Sequence, residues 1–113
     1  MEDTALFASG KIYILKNPIN GRLGIYSLYS RLVSMNLGIE WNGEDEIWVV
    51  MFNKPKTRMR ILHVEPGYGF DLKIRVLFHD NFKAILDNSG YQTITREQLQ
   101  QLSKYGYYSH KNQ

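Results

Sequence analysis

The sequence predicts an α+β domain: an antiparallel β-meander packed against one main helix, with elements in the order β-α-β-β-β-α. Three observations carry this reading. Ile25, Leu28, Tyr29 and Leu32 stand at i, i+3, i+4 and i+7, which places them on one face of a helix. Ile47 to Phe52 (IWVVMF) is an unbroken apolar run of strand length. In Phe70 to Phe78 apolar residues alternate with Asp71, Lys73 and Arg75, the period of a half-buried strand, with Leu77 the exception.

The elements follow in chain order. Lys11 to Leu15 (KIYIL) reads as a short strand, closed by Asn17-Pro18. Asn20-Gly21 offers an N-cap and the helical pattern runs from Arg22, with Gly38 as its stop. Gly24 costs about 1 kcal/mol relative to alanine inside a helix. It implies either close packing on the sheet or a helix that begins after Arg22. Trp41 to Asp45 is a turn. The apolar run Ile47 to Phe52 is either a central strand covered on both faces or a strand with one exposed aromatic side. Asn53 to Thr57 suits a solvated hairpin tip, and Arg58 to Glu65 is the next strand. Pro66-Gly67-Tyr68-Gly69 is the strongest turn signal. Asn81 to Leu86 is either a further strand or a loop, and Asp87 to Gly90 a turn. Thr93 to Gln98 opens a second helix, in which Thr95 and Gln98 form a capping box, Leu99 and Leu102 are buried anchors, and Gly106 ends it.

The chain's 113 residues fit one domain, with an ordered core over about 8–106 and loose tails. Absence of cysteine excludes disulfides, thiolate metal sites and cysteine nucleophiles, and fits a cytoplasmic protein. The acidic start Met1-Glu2-Asp3-Thr4 lacks the positive region of a secretory signal. No apolar run approaches the roughly 20 residues of a membrane helix, so no membrane partner is expected.

Catalytic patterns are missing. His63, His79 and His110 have no metal-ligand spacing and no HExxH motif, and His63 among apolar neighbours reads as structural. No GxSxG elbow occurs. Gly67-Tyr68-Gly69 lies between strands, where a phosphate loop needs a following helix. The carboxylates are scattered, whereas a two-metal nucleotidyl-transfer site needs them clustered. The expectation is a non-enzyme with no cofactor, no metal and no small-molecule substrate.

One constellation has chemical content. The formal net charge is only +3, but Lys54, Lys56, Arg58, Arg60, Lys73, Arg75 and Lys83 fall in one stretch, against Glu65, Asp71 and Asp80. Lys54 and Lys56 occupy the hairpin loop. Arg58 and Arg60 leave it on one face of a strand, and Lys73 and Arg75 share one face of the next. Merged, these groups make a positive patch that binds phosphates by counterion release, with Trp48, Tyr68 and Phe70 as candidate stacking rings. The plainer alternative is a hairpin tip made soluble by lysine, which also guards edge strands.

The order of motifs resembles the small accessory protein of IS-sixty-six-type insertion sequences, the TnpB or second-reading-frame protein of those elements. The likeness covers about Lys11 to Tyr108. Ile19 to Leu28 is similar to the family's TDMRKGIDGL, matching at Arg22, Gly24, Ile25 and Leu28; Asn20 and Leu23 replace an acidic residue and a lysine. Val50 to Leu62 resembles the family's strand and basic turn without a gap. Glu65 to Phe70 follows with one residue more than the family's glycine turn, Arg75 to Phe82 lacks the family's glutamate and glycine, and Thr93 to Leu99 is similar to TIxxxQL. The resemblance implies a bacterial, non-catalytic accessory protein that assists transposition. Its partners would be the transposase, element DNA or both, reached through Arg22, Lys54, Lys56, Arg58, Arg60, Lys73 and Arg75. The alternative is a protein–protein interaction module acting through an exposed sheet edge without nucleic acid; an oligomer fits either.

Overall fold

The computed structural model describes residues 10–15, 17–20, 22–67, 69–76 and 91–107. The elements are β1 (Lys11–Leu15), α1 (Ile25–Ser34), β2 (Ile47–Phe52), β3 (Arg58–Val64), β4 (Phe70–Val76), β5 (Tyr91–Thr93) and α2 (Arg96–Tyr105). The class is α+β. Among the described residues the sheet has five strands in the order β4-β3-β2-β1-β5. The predicted meander accounts for β2, β3 and β4, which pair antiparallel. It misses that β1 joins β2 in parallel and that β5 closes the far side antiparallel to β1. The sheet is therefore mixed, and β1-α1-β2 is a crossover unit.

All six residues of β2 are buried, so it is the central strand covered on both faces. Its alternation divides the core in two. Trp48, Val50 and Phe52 join Ile12, Ile14, Met59, Ile61, Leu99 and Leu102 under α2. Ile47, Val49 and Met51 join Tyr13, Leu15, Leu28, Leu32, Leu62 and Val64 under α1. The sheet is thus covered by a helix on each face rather than by one main helix. Leu28, Leu32, Leu99 and Leu102 are wholly buried, and burial of each contributes about 1.5–3 kcal/mol.

The two helices start differently. α2 begins with both arms of the predicted capping box: Gln98 N–H donates to Thr95 Oγ1 at 3.0 Å and Thr95 N–H to Gln98 Oε1 at 3.0 Å. It ends at Gly106 in the left-handed conformation, φ 86°. Thr93, expected at the opening of this helix, belongs to β5. α1 begins later than Arg22. Gly24 is its N-cap, extended at φ −74° and without a side-chain bond. Asn20 is not the cap; its Oδ1 accepts from Arg22 N–H at 2.9 Å in a turn before the helix. A Cβ on Gly24 would meet nothing within 4 Å, so close packing is not the reason for glycine there. Met35, not Gly38, closes α1. The expectations for Leu77 to Gly90 and for the tails lie outside the described residues.

Candidate nucleic-acid interface

The hairpin that joins β2 to β3 is fixed by Asn53. Its Oδ1 accepts from Arg58 N–H at 3.0 Å, its Nδ2 donates to Thr57 Oγ1 at 3.1 Å, and its carbonyl accepts from Lys56 N–H at 3.0 Å. Lys56 takes the left-handed conformation at φ 58°. Its ammonium lies 6.0 Å from the centre of the Phe52 ring, a cation–π distance. Lys54 and Arg58 are exposed at this tip.

The seven cations expected to act together do not all do so. Register divides them. Arg58 pairs with Val76 and Arg60 with Ile74, while Lys73 pairs with Ile61 and Arg75 with Met59. Directly opposed residues point to the same side. Met59 and Ile61 belong to the α2 face, so Lys73 and Arg75 lie on that face and Arg58 and Arg60 on the α1 face. Arg75 is half-buried and donates to the carbonyl of Ser103 in α2.

Arg60 is also removed from the patch, because it is only 3 % exposed. Its guanidinium donates to Leu23 O at 3.0 Å and Asn20 O at 2.7 Å, clamping the chain before α1 onto β3. Desolvation, and then the neighbouring charge of Arg58, lower its pKa below the ordinary arginine value. The same clamp brings Arg22, exposed between Asn20 and Leu23, to the hairpin end of the α1 face. The surface set is therefore Arg22, Lys54, Lys56 and Arg58. Two of the proposed stacking rings are committed elsewhere: Trp48 lies on His63 with centroids 3.8 Å apart, and Phe70 stacks on Tyr29 at 5.0 Å. Tyr68 and Lys83 fall outside the described residues.

The opposite end of the sheet carries the carboxylates. Glu40, Glu44, Asp45 and Glu46 precede β2, Glu65 follows β3, and Asp71 is the second residue of β4. Glu97 joins them in the first turn of α2, where Ile94 N–H bonds Ile12 O in the first half of β1. No described carboxylate stands at the hairpin end. α1 starts at that end, and its dipole adds positive potential there.

The carboxylate end holds a cluster that sequence spacing did not signal. His63 Nε2 contacts Glu46 Oε2 at 2.5 Å, its Nδ1 lies 3.8 Å from Asp71 Oδ2, and Trp48 covers the ring. Its neighbours arrive from three segments, so only the β2–β3 and β3–β4 registers bring them together. Among the described residues no three His, Cys, Asp or Glu side chains are placed to hold a metal ion. A shallow groove of about 540 Å³ runs along the outer side of α1, lined by Leu23, Tyr26, Ser27, Ser30, Arg31 and Ser34. No described helix is long and apolar enough to cross a membrane. No family model, no curated protein and no solved structure matches the chain.

Proposed function

We propose that this chain is a non-catalytic accessory protein of a bacterial transposable element, working in the cytoplasm, that grips the phosphate backbone of element DNA with the hairpin end of its sheet. One observation carries the DNA contact. Arg22, Lys54, Lys56 and Arg58 gather at an end where no described carboxylate stands. Such a surface attracts a polyanion by charge and by release of its counterions, and needs no base reading. The role in transposition rests on the likeness of Ile19 to Leu28, Val50 to Leu62 and Thr93 to Leu99 to the insertion-sequence accessory family. The transposase is the second partner that this likeness implies.

The test is retention of duplex DNA at low salt by the parent chain and by a K54A/K56A/R58A variant. The parent binds and the variant binds several-fold more weakly, with an unchanged thermal transition. A parent that retains no DNA at low salt overturns the DNA contact. A variant that binds like the parent moves the contact off the hairpin.

A further inference from the structure

Among the described strands β4 is the outer one on its side of the sheet. Two backbone hydrogen bonds show which of its backbone groups turn outward. Arg58 O accepts from Asn53 N–H at 3.2 Å, and Glu65 N–H donates to Gly69 O at 2.6 Å. In an antiparallel ladder hydrogen-bonded pairs recur at every second residue. Even-numbered residues of β3 therefore bond β2, and odd-numbered ones bond β4. The N–H and C=O groups of Phe70, Leu72, Ile74 and Val76 accordingly point away from β3. Two of these residues also carry exposed apolar side chains, Ile74 at 54 % and Val76 at 60 %.

We propose that this edge pairs with β4 of a second copy of the chain, antiparallel and centred on Leu72, joining the two sheets into one. Charge selects both the occupant and the register. Registers that keep each face of the joined sheet continuous and pair at least five residues of β4 are centred on residue 72, 73 or 74. Centring on 73 sets Asp71 opposite Arg75, which Ser103 O already holds, but puts Lys73 against itself, and centring on 74 sets Lys73 against Arg75. Centring on 72 sets Lys73 opposite Asp71 of the partner, twice by symmetry, and Phe70 opposite Ile74. Arg75, already held by Ser103 O, then falls opposite Gly69 and needs no counter-charge. Lysine in an edge strand ordinarily blocks open-ended pairing; here Asp71, with its side chain 55 % exposed, supplies the partner that makes one pairing acceptable. An antiparallel pair also turns the second copy end for end. The cationic hairpin end of one molecule then lies beside the carboxylate end of the other, so like-charged ends are kept apart.

Sedimentation equilibrium of the full chain tests this. The parent shows a mass that rises with concentration toward two chains. I74P removes an N–H that points outward and leaves the β3 ladder intact; its mass stays at one chain. Should that variant unfold, charge reversal replaces it: D71K and K73D are each monomeric, and D71K/K73D recovers the dimer. The chain has no cysteine, so a mixture of D71C and K73C reads the register directly. Residues 71 and 73 of opposing copies form a non-hydrogen-bonded pair with Cα atoms about 4.5 Å apart, within disulfide range. The mixture oxidises to a D71C–K73C dimer that reductant dissolves, whereas K73C dimers in K73C alone would mark the register centred on 73. A parent that is monomeric at every concentration overturns the proposal. So does a dimer that survives I74P or both single charge reversals.

Discussion

The two ends of the sheet solve opposite problems with the same strands. At the carboxylate end, Glu46 is consumed inside the molecule by His63, and Asp71 approaches the same ring from its exposed side. Asn42 Oδ1 there accepts from Glu44 and Asp45 N–H at 2.8 and 3.0 Å, and Gly67 N–H ties the turn after β3 to Gly43 O at 2.8 Å. At the hairpin end Arg60 is spent in this way, on the carbonyls of Asn20 and Leu23, and Arg75 on that of Ser103. The remaining cations face solvent without a described counter-charge. The helix starts follow the same division. α2 opens at the carboxylate end with a full capping box and Glu97, and α1 opens at the hairpin end on a bare glycine with no acidic residue in its first turn. A residue's charge says little about its role until its partners are known. Arg58 and Arg60 are two positions apart on one strand face, yet one is surface and the other is fold.

Breaking the clamp is expected to have the largest effect. R60A leaves two carbonyls that must be rehydrated or left unpaired, at about 1–3 kcal/mol each. A total near 3 kcal/mol lowers Tm by more than about 10 °C in a domain of this size. Thermal denaturation followed by circular dichroism checks it, and a loss below about 1 kcal/mol would return Arg60 to the surface set. At the other end, H63L keeps much of the apolar contact with Trp48 but removes the bond to Glu46. The expected cost is about 1–2 kcal/mol, with DNA retention unchanged; a change in retention would contradict the separation of the two ends. The smallest effect is the sharpest in sign. G24D supplies the missing cap to α1, where open space surrounds the position, and stabilises by a few tenths of a kcal/mol. It also places a carboxylate at the hairpin end, so stability rises while DNA binding falls. Both moving the same way would contradict this account.

Much of the local structure was legible in the sequence, because local chemistry decides it. The capping box at Thr95 and Gln98, the buried run of β2 and the hairpin at Asn53 to Thr57 all follow from neighbours in the chain. The pairing of β1 with β2 and of β1 with β5 was not legible. β5 has three residues, too few to show a period, and parallel pairing across α1 leaves no mark on spacing. The candidate site was legible as residues but not as a surface. That Arg58 shares a face with Arg60, and Lys73 with Arg75, follows from parity alone. Which pair faces which helix depends on the β3–β4 register, in which even residues oppose even residues. A turn longer or shorter by one residue would have merged the four cations that this one divides.

The central claim is that the hairpin end, and not basic charge in general, meets the phosphates. The direct measurement is the slope of log affinity against log salt for duplex DNA, taken for the parent, K54A/K56A/R58A and K73A. Each lost phosphate contact reduces the slope by about one. The slope is expected to be shallower by about three in the hairpin variant and unchanged in K73A, whose side chain lies on the α2 face. Equal slopes in the parent and the hairpin variant, or an equal loss in K73A, would contradict it.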